Sequence, residues 1–294
     1  MRPAAAKRVS RATFISDPMT IGETLMAAQL QLAPISDSPR LDAEILLGHV
    51  LGLSRAQLFV RLHGAVDATA RTEFETLVKR RARAEPVAYL TGEKGFWTLT
   101  LKVTPAVLVP RPETELLVEW ALELLRARVQ PRVADLGTGS GAIALAIAVE
   151  RADAAVTATD YSDAALELAR ENAQQLGLQR VNFCSGNWLD ALPDARYDLI
   201  VSNPPYIARD DSHLAALRHE PLMALTDGGD GLNALREIIA GARARLSSGG
   251  ALLLEHGYDQ AAAVRGMLQQ AGFARIETRR DLSGHERASA GACA

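Results

Sequence analysis

The sequence predicts an α/β chain built on a mainly parallel sheet, preceded by a small helical region and a hairpin. Three patterns carry this. From residue 113 onward, short strand-like apolar runs alternate with longer segments of helical period; from about 20 to 85 the spacing is helical throughout; between Gly92 and Pro112 the runs are short and broken by glycine and proline. A length of 294 residues, 48% hydrophobic and 23% charged, suits one large globular domain and one small one.

In the helical region Ile21, Leu25 and Ala28, then Leu41, Ile45, Leu46 and Val50, then Phe74, Leu77 and Val78 recur at helical spacing. Ser38 and Pro39 read as a helix start, and Gly52 and Gly64 sit where helices should stop. The basic cluster Lys79, Arg80, Arg81 and Arg83 fits a solvated helix end, with a partner-binding patch as the alternative. Runs at 97–101 and 103–109, broken by Gly95, Pro105, Pro110 and Pro112, predict the hairpin. Beyond it comes an amphipathic helix with Leu116, Leu117, Trp120, Leu124 and Leu125. Strands are then predicted at 132–136, 155–159, 181–185, 197–202, 251–255 and 273–279, with helices at 142–149, 162–176 and 259–271.

Composition excludes several classes of function. A net charge of −3 gives no global reason to bind nucleic acid or an anionic membrane. Cys184 and Cys293 lie far apart, outside metal-ligand spacing, and the histidines show no H-E-x-x-H pattern, so no metal is expected. Apolar runs are too short for a membrane span, and a reducing cytoplasm fits the cysteine usage. Residues 1–16, with Arg2, Lys7, Arg8 and Arg11 and no acid, fit a disordered extension better than a transit peptide.

The segment Gly137, Thr138, Gly139, Ser140 and Gly141 follows the first predicted strand of the sheet and opens a helix, which places it on the carboxyl edge where ligands bind. Glycine there allows positive φ and close approach of a ligand to the backbone. Gly137, Gly139 and Ala142 also satisfy a dinucleotide fingerprint, and Asp160, at the end of the next strand, could accept ribose hydroxyls in either kind of ligand. Asp135, just before the loop, would repel a pyrophosphate and attract the cationic S-adenosylmethionine, so the methyl donor is the preferred reading.

Asn203, Pro204, Pro205 and Tyr206 end the predicted strand 197–202, on the same edge. Paired prolines extend neither strand nor helix and offer no N–H. The turn therefore presents acceptors, the Asn203 side-chain oxygen and the Pro204 carbonyl, which suit an NH2 group whose lone pair must stay free. Tyr206 adds a flat face that can stack on an amide or a base.

These motifs, together with 90–92, Phe96 and Trp97, 110–115 and 252–257, resemble the peptide chain release factor glutamine N5-methyltransferases over about 21–287. The resemblance implies a Rossmann-like, seven-stranded class I methyltransferase domain behind a helical bundle and a β-hairpin linker. It implies domains at 17–88 for substrate recognition, 89–112 for the hairpin linker and 113–294 for catalysis. The substrate implied is the glutamine of the Gly-Gly-Gln motif in class 1 release factors, with S-adenosylmethionine as methyl donor and no nucleic-acid substrate; a monomer is expected. Carried over by motif, Gly137, Thr138, Gly139, Ser140, Gly141, Asp160 and Asn203 would hold the donor, and Trp188 would flank its adenine. Asn203 to Tyr206 would bind the glutamine and perform the transfer, and Phe96 and Trp97 would wall its pocket unless they serve the core. The stretch 288–294 departs from the family pattern, which leaves the last strand in doubt.

An amide nitrogen is a poor nucleophile, so the chemistry must depend on positioning, with no strong base required before transfer. Three other functions compete. A nucleic-acid amino-methyltransferase would share the Asn203 turn but should carry a basic surface; a dinucleotide oxidoreductase would leave that turn unexplained; a non-catalytic adaptor should have lost the glycines or Asn203.

Overall fold

A computed structural model describes residues 19–293; the extension expected over 1–16 lies outside the described residues. The chain forms two compact units that divide after Leu90.

The first unit contains α1 (Ile21–Leu32), α2 (Pro39–Leu51), α3 (Arg55–Val60) and α4 (Ala68–Arg81), and α5 (Val87–Thr91) begins at its end. Thr20 caps α1 reciprocally with Glu23, and Gly52 ends α2 in the left-handed region, φ +62°. Leu25, Leu32, Leu46, Leu47, Leu58, Phe74 and Val78 form its core. On α2 the buried face differs from the predicted one: Ala43, Leu46 and Leu47 point inward while Leu41, Ile45 and Val50 are only half-buried. Asp42 lies on that inner face because Arg81 of α4 pairs with it at 2.8 Å. Arg80 pairs with Glu85, so Arg80 and Arg81 of the cluster serve internal contacts.

The second unit opens with the hairpin of β1 (Glu93–Phe96) and β2 (Leu99–Lys102). This corrects the predicted strand at 97–101: the turn falls at Trp97 itself, whose φ is +55°. Glu115 Oε1 accepts the Trp97 N–H at 2.8 Å and Glu150 accepts the indole N–H at 2.7 Å, contacts that hold a conformation tryptophan rarely adopts. Phe96, Leu99 and Leu101 pack into the unit's core, so the hairpin is an integral part of it.

Next come α6 (Glu115–Leu124), β3 (Arg132–Leu136), α7 (Ala142–Glu150), β4 (Ala155–Asp160), α8 (Asp163–Gln175), β5 (Asn182–Ser185) and β6 (Tyr197–Ser202). The chain closes with α9 (Asn233–Arg245), β7 (Leu246–Glu255), α10 (Ala261–Gln270), β8 (Ala274–Arg280) and β9 (Glu286–Ala292). They make a seven-stranded sheet of order β5-β4-β3-β6-β7-β9-β8, parallel except for β9. Strand pleat sends alternate residues to opposite layers. Val133, Leu199, Val201 and Leu253 meet α6 and α7, while Ala134, Leu136, Ile200, Leu252 and Leu254 meet α9 and α10. The same alternation puts Asp135 and Glu255 on the α6 and α7 side, at the carboxyl edge.

The strand left in doubt at the C-terminus does form. Its small residues fit an inner position between β7 and β8, and the space they leave is filled by larger neighbours. A Cβ on Gly291 would lie 2.8 Å from the Phe273 Cβ. Gly291→Val is therefore expected to destabilise the protein by about 1–3 kcal/mol through overpacking, as measured by urea denaturation.

Candidate active site

The glycine loop joins β3 to α7. Gly137 and Thr138 donate their N–H groups to the Thr159 carbonyl on β4, both at 2.9 Å, which folds the loop over the sheet edge. Gly137, Gly139 and Gly141 have φ of +71°, +57° and +86°, the left-handed region that side chains resist. Space reinforces this at Gly137, where a Cβ would lie 2.9 Å from the Trp188 ring. Nothing lies within 4 Å of a Cβ built on Gly139, whose N–H is accepted by Asp160 Oδ2 at 2.9 Å. The other oxygen of Asp160 accepts from Ser162 N–H, also at 2.9 Å. Burial pushes the Asp160 carboxyl above its ordinary range, against these hydrogen bonds.

Loop, Asp160 and Trp188 together line a cavity of about 310 Å³, which also includes Asn203 and Pro205. A second cavity of about 340 Å³ is lined by Pro204, Tyr206, Glu255 and Arg287 and again by Asn203. Asn203 thus stands where the two cavities meet. Ser202, just before it, donates to the Leu136 carbonyl at 2.7 Å and locks the end of β6 to the end of β3. Asn203 Nδ2 donates to Thr114 Oγ1 at 3.1 Å, and the Tyr206 hydroxyl donates to Glu255 Oε1 at 3.1 Å. Burial holds the Tyr206 hydroxyl above its ordinary pKa, with the Glu255 charge adding to it.

The expected site residues Gly137 to Ser140, Asp160, Trp188 and Asn203 to Tyr206 are therefore brought together on one edge, whereas Gly141 lines neither cavity and faces Leu145 and Ala169. Phe96 and Trp97 are not: neither lines either cavity, Phe96 being buried in the core and Trp97 spanning the hairpin turn to Glu150. Their size suits packing better than display. The sequence reading missed the roles of Thr114 and Glu255, which lie 89 residues before and 52 residues after Asn203 in number; the fold brings Thr114 to Asn203 and Glu255 to Tyr206. It also missed Glu220, which receives Arg111 and, at 3.0 Å, the Val109 N–H, fastening the 207–230 loop beside both cavities. No group of His, Cys, Asp and Glu that could hold a metal ion occurs among the described residues, and no helix there is long and apolar enough to cross a membrane.

Residues 113–230 match the methyltransferase small domain and residues 23–92 match the PrmC N-terminal domain. The chain is 50% identical over 269 residues to the release factor glutamine methyltransferase of Coxiella burnetii, covering 92% of this chain and 97% of that protein. To the release factor glutamine methyltransferase of Xylella fastidiosa (strain Temecula1) it is 55% identical over 256 residues, covering 86% of this chain and 93% of that one. Its fold is similar to that of a methyltransferase from Pyrococcus furiosus, with a TM-score of 0.51 at 18% identity over 73% of this chain and 98% of that one.

Asp135 was expected to draw a cationic ligand from the mouth of the loop, but it faces inward and lines neither cavity. Its Oδ2 accepts from Thr138 Oγ1 at 2.7 Å and from Ala144 N–H at 3.1 Å, while Oδ1 has no partner. Burial raises its pKa from 3.8 to about 7. A carboxyl raised on folding holds its proton more tightly folded than unfolded, so its stability contribution is full at low pH and is lost as pH rises through the raised value. Between about pH 5 and about pH 7 this one group should cost about 1.4 kcal/mol per pH unit. Asp135→Asn, which keeps a carbonyl for both bonds, is expected to flatten that part of the stability profile; equal slopes for the two proteins in denaturation at several pH values would contradict the assignment.

Proposed function

The chain belongs to the release factor glutamine methyltransferase family, and on that premise we propose that it methylates the side-chain amide nitrogen of the Gly-Gly-Gln glutamine in class 1 release factors. The observation that carries this reading is the position of Asn203 in the walls of two cavities, one suited to a methyl donor and one to its acceptor.

The first cavity suits S-adenosylmethionine. Its glycine cradle is clear of side chains at Gly139, and Trp188 presses against Gly137 as a flat wall for a purine ring. Asp160 keeps acceptor capacity on both oxygens beyond its bonds to backbone N–H groups, as ribose hydroxyls require. When bound, the donor supplies an electrophilic methyl group. The chain's own residues do the rest by positioning. Asn203 Oδ1 and the Pro204 carbonyl accept the two amide hydrogens, which polarises the amide and aims its nitrogen, and orientation of this kind can lower a barrier by about 7–11 kcal/mol. Tyr206, fixed by its bond to Glu255, walls the acceptor cavity. The helical unit, with Met26, Leu30, Phe59 and Val60 exposed, is our candidate for recognition of the release factor surface, since one amide offers little area for specificity. Action on a translation factor would place the protein in the cytoplasm.

Mass spectrometry of a release factor incubated with the protein and methyl donor should find one added methyl on the Gly-Gly-Gln glutamine. A glutamate there should stay unmodified, because its oxygens offer no hydrogen and leave buried acceptors unpaired at about 1–3 kcal/mol each. Methyl transfer to duplex DNA or ribosomal RNA, with none to release factor, would instead favour a nucleic-acid amino-methyltransferase. In calorimetry Gly137→Val is expected to abolish S-adenosylmethionine binding and Asp160→Ala to weaken it; binding unchanged in both would sink the cofactor assignment.

A further inference from the structure

The segments 110–115 and 252–257 carry much of the family likeness, yet the reaction as described gives them no task. Each contributes one buried polar residue beside Asn203. Thr114 closes a 3-10 turn (Pro112–Thr114) ahead of α6, and Glu255 is the last residue of β7. Both are buried, Glu255 to 1% exposure. Asn203 Nδ2 donates to Thr114 Oγ1 at 3.1 Å and the Tyr206 hydroxyl donates to Glu255 Oε1 at 3.1 Å, while the Thr114 hydroxyl lies near enough to the Glu255 carboxyl to favour its ionised form. Glu255 Oε2 is buried with no hydrogen-bond partner.

The direction of this chain follows from what each group can do. An ionised carboxyl only accepts, so Tyr206 donates to it, and Thr114, whose oxygen receives Asn203 Nδ2, has its one hydrogen to turn toward the same carboxyl. A hydroxyl has one hydrogen. With that hydrogen committed to Glu255, Thr114 has only lone pairs left for Asn203, and Asn203 must meet it with Nδ2. Turning the amide over would set Oδ1 against the Thr114 oxygen, leave Nδ2 facing the acceptor, and put two donors where the substrate brings two more hydrogens.

We propose that Thr114 and Glu255 are positioning residues that fix the polarity of the Asn203 amide, so that Oδ1 is held ready for an NH2-bearing acceptor. The inference rests on the reading of Asn203 as the acceptor's partner and adds what makes that asparagine selective. An asparagine side chain has two faces of nearly equal shape, and only its neighbours decide which one a substrate meets.

Ionisation of Glu255 belongs to the device. Around it lie Thr114 and Tyr206, the Arg287 cation of β9, Glu113 beside Thr114, and Arg111 in the wall of the same cavity. Burial outweighs the hydrogen bonds and Arg287 and brings its pKa to about 7. Once protonated, the carboxyl can donate to Thr114, and the chain can run in either direction. Turnover should therefore fall on the acid side as Glu255 gains its proton.

The test uses the full chain, release factor and S-adenosylmethionine. Thr114→Val removes the hydroxyl at constant shape and should lower kcat by about tenfold to a hundredfold, the scale of a small misplacement of reacting groups, with donor affinity by calorimetry unchanged. Thr114→Ser should restore most of it. Glu255→Gln, which cannot titrate, should lose the acid limb of the kcat profile. In asparagine-15N-labelled protein, the side-chain amide hydrogens of Asn203, assigned by their loss in Asn203→Asp, should exchange about tenfold or more faster in Thr114→Val than in wild type. Wild-type kcat and unchanged exchange in Thr114→Val, or an acid limb that survives in Glu255→Gln, would overturn the proposal. Faster exchange in the variant, with no methylation of release factor even by the wild type, would support the polarity device and reject the substrate reading.

Discussion

The second unit is organised around a carboxylate that ought not to be buried. Asp135 sits inside the sheet-helix layer, where a charge is very unfavourable and burial pushes its pKa up to about 7, and two groups converge on it there. One is the Thr138 hydroxyl of the loop; the other is the Ala144 N–H in the first turn of α7. Strand end, glycine turn and helix start are thereby tied at a single point. The loop can then keep its alternating left-handed glycines, with Gly137 and Gly139 on the cavity, and Gly139 can turn its N–H toward Asp160 on the neighbouring strand.

The cost of this arrangement is concentrated at the carboxyl edge of the sheet. The buried side-chain oxygens without a partner among the described residues are Asp135 Oδ1, Thr159 Oγ1 and Glu255 Oε2. All three lie at the carboxyl ends of strands, in β3, β4 and β7. Away from that edge the core is ordinary, with alternating aliphatic side chains and an alanine-rich α7 buried almost throughout. The unsatisfied groups are confined to one edge of a well-packed sheet, and of them only Glu255 lines a cavity.

Most of the sheet was legible because its strands are short aliphatic runs bounded by clear breakers. Runs 132–136 and 197–202 coincide with β3 and β6. Strand β7 begins earlier than the predicted 251 because Gly249 and Gly250 read as a break, whereas the chain passes through them with a register shift against β6. Strand β9 was doubtful because Ala288, Ser289, Ala290 and Gly291 have weak strand preference; what recruits them is the narrow slot beside Phe273, a tertiary fact. The hairpin was misplaced because a tryptophan in the left-handed region cannot be foreseen from local propensity. In the site, the glycines, Asp160 and the Asn203 turn announce themselves by composition and by following strands. Thr114 and Glu255 do not, since a lone threonine and a lone glutamate acquire meaning only when β7 and the turn before α6 are set side by side.

That difference matters for how the reaction can be controlled. A nucleophile as weak as an amide gains little from a base, since its nitrogen lone pair is withheld by the carbonyl and not by a proton. What the protein can supply is an approach in which both N–H bonds meet acceptors while the nitrogen faces the donor. The Pro204 carbonyl, as backbone, cannot reverse its polarity, but the Asn203 side chain can. The site therefore has one rigid acceptor and one that is only as reliable as the residues behind it. Thr114 holds the Asn203 side chain and Glu255 holds that of Tyr206, so the local motif is insufficient without the turn and the strand that carry these two residues to it.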